Sequence, residues 1–181
     1  MWMLRNVFAH ASRSTRDLVD TWRLGEAAWR GSDSSMALMI GNHDVPRFVS
    51  VAAQQEVSNP WGAPPEQVTE QQTIQRTLMA QSFALAMPGI WTLYYGDEIA
   101  LVGAQDPDNR RPYPWSQTLH STQQRLYTHL QVLGRSRRCL FGVLDDEVGF
   151  ETVSDSKITL TRRNLNNNEL RLIVMIDRDA S

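Results

Sequence analysis

Cysteine is almost absent from this 181-residue sequence, as is any large imbalance of charge or any long apolar run. The single Cys139 excludes an internal disulfide framework, and no Cys or His stands near it at a zinc-ligand spacing. No stretch approaches the roughly 18 uninterrupted apolar residues that a membrane-spanning helix requires. The formal net charge of −2 argues against nucleic acid or an anionic membrane as the main partner, because both attract clustered Lys and Arg. The one basic run, Arg135, Arg137 and Arg138, follows an apolar helical pattern and reads as cations at a helix C-terminus. The opening "MWMLRNVFAHAS" has neither a charged leading segment nor a small-residue cleavage site, so no signal peptide is expected, and the compartment is not readable.

What is present suits a folded chain: 41% hydrophobic residues, enough for one ordinary domain or pieces of two. "STRDLVDTWRLGEAAWR" begins with Ser14 and Asp17 in capping-box spacing and sets Leu18, Trp22 and Trp29 on a helical period. Met36 to Ile40 shows no polar alternation, the pattern of a strand covered on both faces in a parallel sheet. A proline-rich loop follows, and Thr69 with Gln72 predicts the start of a second helix carrying Ile74, Leu78, Phe83 and Leu85. Pro88 and Gly89 stop it before a second strand, Ile90 to Tyr95.

Strand, loop, helix, strand is a βαβ unit, and in such units function collects beyond the carboxyl ends of the strands. Ser121 and Gln124 predict a third helix with Leu126, Leu130 and Leu133 on one face. "VGFETVS", "KITLTRR" and "ELRLIVMID" then read as an antiparallel meander. The expected division is residues 1–138 as an α/β part and 139–181 as the start of a β-sandwich. There is no internal repeat and no low-complexity tract.

Three polar groups follow the strands. Asn42, His43, Asp44 and Arg47 crowd the end of the first; taken alone they fit a loop start with Asx turns in which Arg47 neutralises Asp44. Asp97 and Glu98 after the second fit two solvated acids in a turn, and "DPDNRRPYPW", residues 106–115, fits a tight turn without a ligand. Arg110 and Arg111, held near acids and between prolines, equally form a rigid polar platform. Tyr113, Trp115 and Trp61 are flat rings on which a sugar face can stack, or simply core.

Their joint occurrence in this order decides between these readings. "MIGNHDVPRF" followed by "GIWTLYYGDEIALVGAQDPDNRRPYPW" resembles the last quarter of the catalytic barrel of the α-amylase family, glycoside hydrolase family 13, and among its members those acting on maltodextrins and cyclodextrins. The resemblance implies a partial (β/α)8 TIM barrel: Met36 to Ile40 as strand seven, Ile90 to Tyr95 as strand eight, and the tail as the start of the C-terminal β-domain. It implies Asp44 as the catalytic carboxylate that stabilises the transition state. His43, Asp106 and Arg110 are implied as binders of substrate sugars, and Arg47 as a further candidate binder or a salt-bridge partner of Asp44. Calcium in this family usually involves parts of the barrel outside this stretch, so no metal or cofactor is implied.

Chemistry agrees with those residue types. Glycosidic cleavage passes through an oxocarbenium-like state, which a carboxylate steadies and hydrogen bonds to sugar hydroxyls support. A retaining enzyme also needs a nucleophile and an acid/base carboxyl about 5–5.5 Å apart. In this family both come from earlier strands, and no Arg-x-Asp follows an apolar strand here. "LGEAAW" is one residue too long for the acid/base motif and lies in a helical pattern, so Glu26 is rejected. The expectation is therefore the C-terminal fragment of a longer α-glucan hydrolase or transglycosylase, inactive alone, whose partners are an α-glucan oligosaccharide and the missing N-terminal part of the same enzyme. The alternative is a non-catalytic relative that uses the barrel as an oligosaccharide-binding or protein-docking scaffold.

Overall fold

The computed structural model describes every residue except 33, 56–60, 141–146, 165, 168 and 180–181. Helix α1 (Trp2–Leu4) runs into a π-helical turn, Arg5–Ala9, and α2 spans Thr15–Trp29. The Ser14–Asp17 capping box forms as expected: the Ser14 hydroxyl accepts from the Asp17 amide and the Asp17 carboxylate accepts from the Ser14 amide. Two orphan amides at the helix start are satisfied that way. Leu18 is buried and Trp22 half-buried, whereas Trp29 lies exposed.

Strands β1 (Ala37–Leu38) and β2 (Ile90–Trp91) pair in parallel, Ala37 opposite Ile90 and Leu38 opposite Trp91. The Ile90 amide donates to the Met36 carbonyl and the Thr92 amide to the Leu38 carbonyl, both at 2.8 Å. Both strands are shorter than the runs 36–40 and 90–95 suggest. Each has one hydrogen-bonded neighbour among the described residues, so no second ladder extends the regular geometry.

Helices α3 (Phe48–Ala52) and α4 (Gln71–Ala86) connect them. Thr69 does not cap α4. Glu70 is its N-cap and its carboxylate accepts from the Thr73 hydroxyl, while the Thr69 carbonyl accepts from Thr122 at 3.0 Å. Helix α5 (Ser121–Leu140) shifts the other way, starting one residue earlier than Ser121 and Gln124 suggest. His120 precedes it: its amide donates to Gln123 Oε1 at 3.0 Å and its Nδ1 faces the Thr122 hydroxyl at 2.8 Å.

Arg137 sits near the end of α5, but the helix it serves is α4. Its guanidinium donates to the carbonyls of Leu85, Met87 and Gly89, covering the last turn of α4 and the entry to β2.

The meander forms as read: β3 (Gly149–Val153), β4 (Lys157–Arg163) and β5 (Leu170–Asp177) in antiparallel order. Among the described residues it is one three-stranded sheet and no second layer of a sandwich faces it. It packs instead on the helices, with Ile158, Leu160 and Ile176 joining the buried cluster of Phe8, Leu18, Leu38, Ile40 and Phe83. A second cluster, Val49, Ile74, Val102, Leu126 and Leu130, holds α3, α4 and α5 together.

Gly89 governs the strand pair. It has φ of +102°, and a Cβ placed there would stand 2.5 Å from the Met36 carbonyl oxygen, the acceptor of the first strand-pairing bond. Gly89→Ala is therefore expected to lower unfolding free energy by about 2–4 kcal/mol, combining left-handed strain with a backbone clash that cannot yield. The midpoint of urea unfolding reads this directly; an unchanged midpoint contradicts it.

Candidate active site

Beyond β1 the chain turns sharply. The Asn42 side-chain oxygen accepts from the Asp44 amide at 3.0 Å, an Asx turn that frees the two following side chains for solvent. His43 Nε2 and Asp44 Oδ1 lie 3.2 Å apart, with side chains 63% and 64% exposed. Imidazole and carboxylate thus stand side by side at the carboxyl end of β1.

Beyond β2, Gly96 (φ +89°) leads into a 3-10 turn, Asp97–Ile99, and a second such turn spans Asp108–Arg110 after a cis Asp106–Pro107 peptide. Arg110 pairs with Asp106 at 3.0 Å, both partly exposed. Arg111 grips Asp108 through two bonds of 2.7 and 2.8 Å and donates to the Pro65 carbonyl at 2.9 Å. Burial works to raise the Asp108 carboxyl, but Arg111 and the Ala104 amide outweigh it and hold it below the usual carboxylate range.

The two turns are stitched together. Asn109 Nδ2 donates to the carbonyls of His43 (2.8 Å) and Val45 (2.9 Å), and Arg110 Nε donates to the same His43 carbonyl at 3.2 Å. His43, Asp44, Asp106 and Arg110 therefore share one exposed rim.

Arg47 is not on it. Its side chain is 1% exposed, and its ion-pair partner is Asp97 at 3.5 Å rather than Asp44. Its Nε donates to the Asn109 carbonyl at 2.7 Å and Nη1 to the Tyr95 carbonyl, with the rings of Tyr94 and Tyr95 centred 4.2 and 4.6 Å from the guanidinium carbon. The chain passes inward directly after Asp44, with Val45, Pro46 and Arg47 all buried, so this arginine braces the loops from below and its sealed guanidinium has no face left for a sugar. Asp97, read as a solvated acid, is 3% exposed. Burial pushes its carboxyl up to about 7, against the pull of Arg47; nearby Glu98 adds to the rise and Arg5 opposes it.

Three of the residues that build this rim carry little signal in the sequence. Asn109 reads as a turn former, Asp97 as a surface acid, and Arg5 belongs to no motif at all. Arg5 is buried and donates to the carbonyls of Ile40 (3.1 Å) and Pro46 (2.9 Å), gripping the His43–Asp44 turn at both ends.

Of the aromatic residues, Tyr113 donates to Glu98 and has its phenol pushed up to about 12 by burial and by that carboxylate. Trp115 leans on its ring at 4.4 Å while remaining 86% exposed. Among the described residues no cluster of His, Cys, Asp and Glu is arranged to hold a metal ion, and no helix is long and apolar enough to cross a membrane.

Comparison with known proteins gives this arrangement a context. The family description "Alpha amylase, catalytic domain" matches residues 9–167. An amylopullulanase of Thermoanaerobacter thermohydrosulfuricus is 31% identical over 77 residues, 42% of this chain and 5% of its own length. A cyclomaltodextrinase of Geobacillus thermopakistaniensis is 23% identical over 137 residues, 76% of this chain and 20% of its own. The solved α-amylase of Geobacillus thermoleovorans, complexed with acarbose, superposes with a TM-score of 0.67 at 26% identity over 91% of this chain and 34% of that one. The chain thus spans about a third of that structure and a fifth or less of these two sequence relatives. A match over most of its residues, on two parallel strands with their polar turns at one end, means that the chain belongs to the α-amylase catalytic-domain family.

Proposed function

We propose that this chain is the closing part of a retaining glycoside hydrolase barrel acting on α-glucans, bearing the transition-state stabiliser and part of the sugar cleft. The observation that carries the reading is the stitch from Asn109 and Arg110 to the His43 carbonyl, which joins two separate polar motifs into one rim. In this reading Asp44 faces the ring that becomes cationic as the glycosidic bond lengthens, and its charge offsets that cation most strongly in the transition state. His43 donates to hydroxyls of the same sugar. Asp106 and Arg110 hold neighbouring glucose units through charge-assisted hydrogen bonds.

The α-glucan assignment is supported by what the relatives are: proteins named amylopullulanase and cyclomaltodextrinase, and an α-amylase solved with acarbose. The nucleophile and the acid/base carboxyl belong to a part of the barrel that these residues do not supply. By themselves they bind without cutting.

The test uses the purified chain with maltohexaose. Calorimetric titration should show binding that weakens about tenfold or more in Asp44→Ala and in Arg110→Ala, the loss of a charge-assisted hydrogen bond in each case. Assay of reducing ends should show no turnover. Turnover abolished by Asp44→Ala would overturn the fragment reading, and affinity indifferent to both substitutions would overturn the assignment of the rim.

A further inference from the structure

Trp115 lies in the open, yet its setting is firmly built. Its amide donates to the Tyr113 carbonyl at 2.9 Å, and its ring leans on the Tyr113 ring with the planes at 43°. Pro112 and Pro114, with their locked φ, stiffen the backbone on either side of Tyr113. The Tyr113 phenol donates to Glu98, whose carboxylate also accepts from the Gly96 amide at 2.8 Å. Through one tyrosine, then, the indole is carried by the turn that follows β2.

That end of β2 also carries the candidate rim. The Tyr95 hydroxyl donates to the Arg111 carbonyl at 2.9 Å, next to Arg110, and Arg111 is clamped to Asp108. From Arg110 to Trp115 the chain advances five residues, so their Cα atoms stand at most about 18 Å apart. An oligosaccharide held at Arg110 spans that distance within a few units.

An indole is one of the largest apolar surfaces a chain can leave in water, and tryptophan is mostly buried in folded proteins. Here the residues after it, Ser116, Gln117 and Thr118, are exposed as well. The ring is a flat apolar surface among hydroxyls and an amide, not the middle of the broad apolar patch that forms the core of a protein interface. A pyranose has the matching division, with C–H groups on its flat face and hydroxyls around its edge. Those C–H hydrogens carry slight positive charge and meet the negative face of the indole.

We propose that Trp115 is a stacking platform for a glucose unit of the bound α-glucan, beyond the units held by Asp106 and Arg110, and that it makes the site favour longer chains. The inference deepens the α-glucan reading and rests on it.

The experiment is calorimetric titration of the full chain with maltotriose and with maltohexaose, in wild type, Trp115→Ala and Trp115→Phe. Wild type should bind maltohexaose about tenfold or more tightly than maltotriose, the gain from covering one aromatic face. Trp115→Ala should remove that preference by weakening maltohexaose alone, and Trp115→Phe, with a smaller ring, should keep part of it. A preference that survives in Trp115→Ala overturns the proposal; so does an equal loss for both sugars, or no preference in wild type.

Fluorescence gives a second decision that keeps an aromatic ring at the position. Saturating maltohexaose should shield from acrylamide a component of wild-type tryptophan emission that is missing in Trp115→Phe. Identical shielding in the two proteins overturns the platform.

Asp44→Ala and Arg110→Ala keep the two claims apart. If they weaken both sugars while Trp115→Ala weakens neither, the glucan reading stands and the platform is removed. If wild type binds neither sugar, the glucan reading fails and takes the platform with it. Sedimentation that shows wild type self-associating and Trp115→Ala monomeric would then identify this indole as a protein contact instead.

Discussion

Replacing Arg47 with methionine is expected to lower the free energy of unfolding by about 3–5 kcal/mol, the usual consequence of removing one partner from a buried ion pair. Methionine fills much of the same volume, so a cavity contributes little. What is lost is the bond to Asn109, the bond to Tyr95, the cation over two tyrosine rings, and the counter-ion of Asp97. Arg47→Lys should restore little, because one ammonium cannot reproduce the planar fork that reaches two carbonyls and a carboxylate. Guanidinium denaturation measures both. A loss under about 1 kcal/mol for methionine would mean that the brace is dispensable.

Stability is also expected to fall as pH rises from about 4 to about 8, by up to about 4 kcal/mol attributable to Asp97, since each pH unit separating its folded and unfolded titration is worth about 1.4 kcal/mol. The sign follows from proton binding. The folded carboxyl titrates near 7 and the unfolded one near 3.8, so between those values the folded state binds more protons. The contribution is full below the unfolded value and is lost as pH passes the folded one. Thermal melts across this window should show a slope that is reduced in Asp97→Asn, and a slope identical in both proteins would refute the assignment. The charged groups near this carboxyl are Arg47, Glu98 and Arg5.

Local chemistry wrote much of this chain plainly. The Ser14–Asp17 box, the apolar runs at 36–40 and 90–95, and the alternating segments after 147 specify elements through contacts within a few residues, and those elements form. The helix starts at Glu70 and His120 are each displaced by one residue for a tertiary reason. The Thr69 carbonyl and the Thr122 hydroxyl bond to each other across 53 positions, which fixes both helix ends relative to one another. No short-range pattern carries that bond.

The exposed rim is similarly open to reading, whereas its support is not. His43, Asp44, Asp106 and Arg110 belong to recognisable motifs, and their side chains meet solvent. Arg47 shares a motif with them, and its adjacency to Asp44 suggests a pair. The turn at His43–Asp44 sends the chain inward, and burial then selects the partner. Arg5 lies 35 positions from the Ile40 carbonyl it holds.

By itself, then, the sequence determined the α/β order, the parallel pairing of its two strands, and the chemical groups that stand beyond their ends, because periodicity and turn chemistry act over short distances. Tertiary structure alone decided which charges are buried and which face solvent, since that depends on what arrives from far along the chain: an arginine from the N-terminal turn, an asparagine side chain reaching 66 residues back, and a carboxylate buried against the Arg47 guanidinium.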